Sequence, residues 1–255
     1  MRLYCLNTGS NVGKYNMDMD IYLSQNLSSD EIILRFYQWN PYCISLGANQ
    51  DINEINRSKA KNDHLDVVKR PTGGRAVLHS EELTYSIIFP LNYLTPREIY
   101  NQVNFALRNG LMFYDKKLSN VELVSENVDF RRVYENNLSS ACFSVSAKSE
   151  LKFENKKLVG SAQRKFRNTV LQHGSILCGE FHKKIADYLN LSIDEQEQVR
   201  NEIENKTISL SKIIEKEIDY EKLRVSLIHG FEEYFNFSFL SSYEKLDVYL
   251  EKTLV

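Results

Sequence analysis

The amino-acid sequence predicts an α+β fold, in which a mixed and largely antiparallel sheet has flanking helices and is followed by a helical tail. Short strand-like runs alternate with helical patterns in the first half, and strand patterns dominate up to about Cys178. From Phe181 onward the composition changes to charged segments of helical periodicity. A chain of 255 residues has an ordinary length for one domain of this kind. We therefore predict a single domain over residues 1–255, with about 181–255 as its mainly helical part.

The first elements follow from short apolar runs and the turn residues between them. Residues 32–39 and 43–48 flank an Asn-Pro turn, which predicts a β-hairpin, and residues 51–63 have the pattern of a surface helix. The stretch VVKRPTGGRAVLHSEELTYSIIFP then places two arginines and two glycines between strand-like runs. A mixed sheet is expected from this part of the chain.

The next long element is predicted to be a helix that lies on the sheet. Apolar residues recur at helical spacing through TPREIYNQVNFALRNGLMFY, behind Thr95 as N-cap and Pro96 at the first helical position. Strand patterns over 149–163 and 168–177 are joined by the polar turn Arg164–Asn168, and a Glu-Asn-Lys corner predicts a hairpin inside the first. Four charged helical segments complete the tail.

Composition excludes several classes of function. The 32 Lys and Arg residues nearly balance the 34 Asp and Glu residues, and no polybasic block stands out, so neither nucleic acid nor a membrane surface is an expected partner. No apolar run approaches the roughly 20 residues of a spanning helix, and the amino terminus lacks the apolar core of a signal peptide. We expect a cytoplasmic protein. Its four cysteines form no CxxC pair, which predicts reduced thiols and no metal site.

The segment Arg70–Arg75, RPTGGR, can be interpreted in two ways. Glycine adopts positive φ at no steric cost, so the segment could be a simple turn between two strands. Alternatively, the glycines let a ligand approach the backbone while the arginines offer charge to a phosphate or carboxylate. Neither a GxxxxGK[ST] phosphate loop nor a GxGxxG dinucleotide pattern occurs in the chain.

Two further groups of residues could carry chemistry. Gly160, Ser161, Gln163, His173 and Gly174 bring small and polar residues into neighbouring strand patterns, which indicates either a cavity wall or a strand with one face in solvent.

Cys142 lies in a Ser- and Ala-rich segment, whereas Cys5, Cys43 and Cys178 border apolar runs typical of buried thiols. A nucleophilic thiol needs a neighbouring cation, and Lys157 lies on the strand that follows the Cys142 segment.

The motifs RPTGGRAVLH, LTYSI, KKLVGSAQR and LQHGSIL together resemble the lipoate branch of the biotin/lipoate protein ligase superfamily. The resemblance extends from near the amino terminus to about Gly179 and implies the catalytic-domain fold of that family. It implies that Lys157 is the active-site lysine and that the segment Arg70–Arg75 lines the acyl pocket. The substrate-binding residues that it implies are Arg70, Thr72, Gly73, Gly74, Arg75, His79, Gly160, Ser161, Gln163, His173 and Gly174.

Cys142 points to one type of enzyme within that superfamily. The segment Ala-Cys-Phe precedes the lysine motif by the separation seen in the octanoyltransferases that resemble lipoate ligases, where the cysteine is the nucleophile. The resemblance therefore implies transfer of an octanoyl group from octanoyl-acyl carrier protein through Cys142 to a lysine of a lipoyl domain or of a glycine-cleavage H protein, without a cofactor. Three alternatives stay open: an ATP-dependent lipoate ligase, an octanoyl amidotransferase between lipoyl proteins, and a non-catalytic carrier-binding module.

Overall fold

Ten strands form two sheets in the part of the chain that the structure describes, a computed structural model covering residues 1–92, 94–125, 149–240 and 243. The larger sheet has seven strands in the order β1-β2-β6-β10-β9-β8-β7, and the smaller one has three in the order β4-β3-β5. The strands are β1 Arg2–Asn11, β2 Glu31–Trp39, β3 Cys43–Leu46, β4 Asp66–Lys69, β5 Val77–His79, β6 Glu82–Pro90, β7 Glu122–Ser125, β8 Ser149–Phe153, β9 Lys156–Lys165 and β10 Thr169–Leu177.

The helices lie on both faces of the larger sheet and in the carboxy-terminal tail. They are α1 Gly13–Asn26, α2 Arg57–Asn62, α3 Pro96–Tyr114, α4 Ile193–Lys206, α5 Leu210–Ile214 and α6 Tyr220–Phe235. Shorter 3₁₀ segments span Ile52–Glu54, Lys116–Asn120 and Phe181–Tyr188. The predicted α+β class with a mixed sheet and a helical tail is confirmed, and so is the helix behind Thr95, whose side chain accepts from the Glu98 backbone N–H in a capping box.

The larger sheet has one apolar face and one face with many polar groups. Strands β1 and β2 are parallel and are connected through α1, while β2, β6, β10, β9, β8 and β7 are paired antiparallel. Because side chains alternate along a strand, Phe36, Tyr85 and Ile176 face one side, where they share a core with α3 and α6. Arg35, Ser86 and their neighbours face the opposite side, beneath α1.

Helices α3 and α6 cross at a contact that only glycine permits. A Cβ atom at Gly230 would lie 2.2 Å from the backbone nitrogen of Gly110, and one at Gly110 would lie 2.6 Å from the Leu227 Cα. The backbones therefore touch at this crossing. The contact holds the last described helix of the tail against the helix that covers the sheet.

Two details of the predicted strands and helices were wrong. Strands β2 and β3 do not form a hairpin, because β2 pairs with β1 and β6 while β3 lies between β4 and β5 in the other sheet. The predicted helix over residues 51–63 is divided into a 3₁₀ turn and the short α2. The predicted hairpin at Glu154 and Asn155 is confirmed, with both residues at positive φ.

Candidate active site

A pocket of about 450 Å³, measured with its open mouth, lies beside the polar face of the larger sheet. Its apolar wall is formed by Met17, Tyr37, Trp39 and Val77. Among the residues that the sequence singled out, the following line it: Arg70, His79, Gly160, Ser161, His173 and Gly174. The structure thus brings together parts of both glycine-containing motifs, which are about 90 positions apart in the chain.

Strand alternation separates the residues predicted as one cavity wall. His173 and Ser175 face the pocket side, whereas Gln172 faces the helices α3 and α6. Ser161 reaches the pocket, and its hydroxyl lies 2.7 Å from the hydroxyl of Tyr85. Gln163 lies away from the pocket, since its amide donates to the Pro96 carbonyl (3.0 Å) and to Gln172 Oε1 (3.1 Å).

Arg70 fixes the shape of the segment Arg70–Arg75 from inside. Its guanidinium is buried and donates to the Ser45 carbonyl at 2.8 Å, to the Gly73 carbonyl at 3.0 Å and to the Arg75 carbonyl at 2.7 Å. Arg75 points away from the pocket, with its guanidinium 3.8 Å from the Glu54 carboxylate. The first arginine therefore organises the segment, and the second does not line the pocket.

The two glycines of this segment have different structural roles. Gly74 has φ +100°, and its carbonyl oxygen would lie 1.9 Å from a Cβ atom on Gly47. Gly74 is needed for its left-handed backbone, whereas the close approach of the two turns requires that Gly47 have no Cβ atom. A Cβ atom on Gly73 would meet no atom within 4 Å, so that position borders open space.

His173 is held in one tautomer by partners on both ring nitrogens. Its Nδ1 lies 3.1 Å from Asp20 Oδ2, and its Nε2 lies 2.7 Å from the Thr72 hydroxyl. Burial alone would raise the pKa of Asp20, but Arg35 and the hydrogen bonds keep it lowered, so the carboxylate is ionised and can only accept. Nδ1 therefore donates to Asp20, and Nε2 accepts from Thr72. Burial lowers the pKa of His173 despite the opposing effect of Asp20, which keeps the ring neutral at pH 7.

His79 repeats this arrangement elsewhere in the pocket wall. Its Nδ1 lies 2.7 Å from Glu82 Oε1, and its Nε2 lies 2.7 Å from the Ser45 hydroxyl. The imidazole stacks on Trp39 at 4.1 Å between ring centroids, and Trp39 Nε1 donates to Thr84 Oγ1 at 2.7 Å. Burial would raise the pKa of Glu82, but His79 and hydrogen bonds from neighbouring hydroxyls keep it lowered. These contacts fix the orientation of His79 and Trp39 in the pocket wall.

The carboxylates behind the two histidines were missed by sequence reasoning. Asp20 also accepts from Arg35 Nη1 (2.8 Å), Ser86 Oγ (2.7 Å) and Tyr37 Oη (3.1 Å), and both Asp20 and Arg35 are fully buried. The sequence did contain one indication of this network, because Arg35 is a charged residue inside the apolar run IILRFYQW. Buried charges of this kind are paired or hydrogen-bonded, so Arg35 predicts a buried acidic partner.

Lys157 is buried and lies next to a carboxylate that the sequence did not single out. Its Nζ is 2.5 Å from Glu150 Oε1, and the two side chains are 6% and 1% exposed. Leu151 packs in the core beneath α3, so Glu150, Lys152 and its cross-strand partner Lys157 face the other side. Lys157 does not line the pocket itself, but it lies on β9 three positions before Gly160, which does.

Cys142 lies outside the described residues, and the three described cysteines are held as thiols. Burial raises the pKa of Cys5 to about 12 and raises the pKa values of Cys43 and Cys178 well above the usual range. A thiol of such high pKa is a poor nucleophile at pH 7.

The described residues show neither a metal site nor a transmembrane helix. No three His, Cys, Asp or Glu side chains among them are grouped so as to hold a metal ion. Within the same ranges of the chain, no helix is long and apolar enough to cross a membrane.

Comparisons with known proteins agree with this fold and these motifs. Residues 13–232 match the lipoyl protein ligase A/B catalytic domain. The octanoyltransferase LipM of Clostridioides difficile is 34% identical over 245 residues, covering 91% of this chain and 88% of that protein. The octanoyltransferase LipM of Bacillus subtilis is 33% identical over 235 residues, covering 89% of this chain and 84% of that protein.

Among solved structures, a bipartite lipoate protein ligase of Thermoplasma acidophilum, studied with its E2 lipoyl domain, has a TM-score of 0.76 at 17% identity. The superposition covers 95% of this chain and 87% of that one. A lipoate-protein ligase A bound with ATP has a TM-score of 0.71 at 20% identity, covering 94% of this chain and 87% of that one. At these identities the structures establish the fold. The chain belongs to the lipoyl protein ligase A/B catalytic-domain family, and within it the chain groups with the octanoyltransferases.

Proposed function

We propose that the protein transfers an octanoyl group from octanoyl-acyl carrier protein to a lysine of a lipoyl domain or of a glycine-cleavage H protein, through a thioester on Cys142. The observation that carries this proposal is the match to octanoyltransferases over about nine-tenths of the chain. The pocket supports it, because Met17, Tyr37, Trp39 and Val77 form an apolar wall beside the two glycine-containing motifs. An eight-carbon chain buried there contributes on the order of 5 kcal/mol, at about 0.8 kcal/mol per CH₂.

In the first step the Cys142 thiolate attacks the thioester carbonyl of the donor. The carbon–sulfur bond to the phosphopantetheine arm breaks, and that thiolate leaves and takes up a proton. One thioester replaces another, so the step needs no nucleotide. The three described cysteines are poorly suited to this role, because burial raises their pKa values.

In the second step the neutral amine of the acceptor lysine attacks the acyl-enzyme. The amide bond forms, the bond to Cys142 breaks, and the amine loses the proton that the departing thiolate gains. Lys157 contributes positive charge near the reacting groups, and its ion pair with Glu150 keeps the ammonium in a buried position. The acyl chain remains unchanged, so the product is an octanoylated carrier lysine.

The test is the intact mass of the purified protein after incubation with octanoyl-acyl carrier protein, without nucleotide or acceptor. We expect an octanoyl adduct that hydroxylamine removes, that is absent from Cys142→Ala and that forms much more slowly in Lys157→Ala. Cys5→Ala is the matched control, since Cys5 is a second thiol of intermediate exposure and should leave the adduct intact.

Other outcomes would identify a different function. Absence of an adduct together with ATP-dependent lipoylation of a lipoyl domain would show a ligase and would contradict the role of Cys142. An adduct formed from octanoylated H protein, but not from octanoyl-acyl carrier protein, would show an amidotransferase. Binding of the carrier protein without acyl transfer would show that the protein is a non-catalytic binding module.

A further inference from the structure

Exposed cations are concentrated next to the pocket, on a stretch of chain without acids. Residues 155–179 contain no Asp or Glu, and the end of β9 together with the turn that follows it carries three exposed basic side chains. Two more exposed cations lie at the end of β4 and at the start of α3. We call these five residues the basic surface. They are Lys69, Arg97, Arg164, Lys165 and Arg167.

Hydrogen bonds bring the three parts of the basic surface together. Arg164 Nη1 donates to the Pro71 carbonyl at 2.6 Å, which joins the turn to the segment that begins just after Lys69. Gln163 donates to the Pro96 carbonyl at 3.0 Å, which places the neighbouring Arg97 beside β9. The same strand β9 contributes Gly160, Ser161 and Ala162 to the pocket. The basic surface therefore lies next to strand and loop residues that line the proposed acyl site.

These charges are not neutralised within the part of the chain that the structure describes. None of the five residues of the basic surface forms an ion pair there, whereas the exposed residues Lys206 and Arg200 each do. Glu98, the acid beside Arg97, accepts from the backbone N–H and hydroxyl of Thr95. The whole chain has a net charge of only -2, so this local excess of positive charge does not follow from the overall composition.

We propose that the basic surface docks the acyl donor, a carrier protein with an acidic surface that presents its acyl group on a phosphopantetheine arm. This inference rests on the proposed function. The donor fits the charge better than the acceptor does, because the phosphodiester of the arm is an anion. The acceptor instead brings a lysine, a cation in water, which the same five charges would repel. Complementary charge of this kind acts mainly on the rate of encounter and on its dependence on salt.

The test compares two thioester donors in the same enzyme. One is octanoyl-acyl carrier protein, and the other is octanoyl-pantetheine, which has neither the protein nor the phosphate. The variant Lys69→Glu/Lys165→Glu/Arg167→Glu reverses three charges and leaves Arg164, which supports the pocket segment, unchanged. The matched control Arg57→Glu/Lys212→Glu/Lys216→Glu makes the same change in net charge at three other exposed positions.

We expect the ratio of kcat/KM for the carrier-protein donor to that for octanoyl-pantetheine to fall at least about tenfold in the first variant, at the low end of electrostatic steering effects. The ratio should stay near the wild-type value in the control. Added salt should lower the wild-type ratio and have less effect on the variant. Equal ratios in the two variants would overturn the docking proposal and leave the proposed function intact. Absence of acyl transfer from both donors in the wild-type protein would overturn the proposed function, and the docking proposal with it.

Discussion

The buried network around Asp20 gives the sharpest prediction about stability. Asp20→Asn keeps the shape of the side chain but removes its charge and turns one acceptor oxygen into a donor. In the wild-type protein Oδ1 accepts from Arg35 and Ser86, and Oδ2 accepts from Tyr37 and His173. An amide nitrogen at either position would face two donor groups, and Arg35 would keep a buried charge without an anion.

The burial of this ion pair determines how much stability Asp20→Asn should lose. Both Asp20 and Arg35 have fully buried side chains, and breaking a buried ion pair by removing one partner costs about 3–5 kcal/mol. That is a large part of the total stability of a folded protein, about 5–15 kcal/mol. For a chain of this length it corresponds to a fall in Tm on the order of 10 °C.

The assay is urea unfolding followed by the fluorescence of Trp39, the single tryptophan, which is buried in the pocket wall, with far-UV circular dichroism as a second signal. Asp18→Asn is the control, because Asp18 lies in the same helix in an exposed pair with Lys14, worth at most about 0.5 kcal/mol. Asp20→Asn/Arg35→Gln should lose less than the sum of its two single variants. A loss below about 1 kcal/mol for Asp20→Asn, or one equal to that of Asp18→Asn, would refute the reasoning.

Four further predictions concern pH, packing and the pocket. Burial lowers the pKa of His182, so the stability that its neutral ring contributes is complete above the unfolded pKa of about 6.5 and is lost as the pH falls toward the folded pKa. The midpoint of urea unfolding should therefore drop between pH 7.5 and 5.5, and it should drop less in His182→Gln. A midpoint that does not depend on pH would contradict this prediction. Gly230→Ala should destabilise by about 1–3 kcal/mol in urea unfolding, because its Cβ atom would clash with α3, whereas Gly73→Ala should change the free energy of unfolding by less than about 0.5 kcal/mol. Glu150→Gln should slow formation of the acyl-enzyme at least about tenfold in the intact-mass assay, since Lys157, for which we propose a catalytic role, loses its anionic partner. An unchanged rate would show that the ion pair is only structural. Val77→Phe should narrow the pocket and raise the ratio of kcat/KM for a hexanoyl donor to kcat/KM for an octanoyl donor by about tenfold. The two chains differ by two methylenes, each worth about 0.8 kcal/mol when buried. An unchanged ratio would show that the acyl chain binds elsewhere.

Local sequence patterns determined the elements whose formation depends on near neighbours. Thr95 and Pro96 predicted the start of α3, and the Glu-Asn corner predicted the hairpin between β8 and β9. The motif set also determined the family, because it specifies residue types at several places in the chain at once. Capping, turns and motifs involve residues close in sequence, so they can be read without knowledge of the fold.

The tertiary structure alone decided which distant residues meet. Alternation along a strand shows which residues share a face, but it does not show which strand lies next to it, so β3 was assigned to the wrong neighbour. For the same reason the partners of the candidate site residues were not visible in the sequence: Asp20 lies 153 positions from His173. The pairing of Lys157 with Glu150 likewise depends on the register of β8 against β9. These pairs form because distant strands are aligned in a particular register, and that register is set by the burial of whole sheet faces.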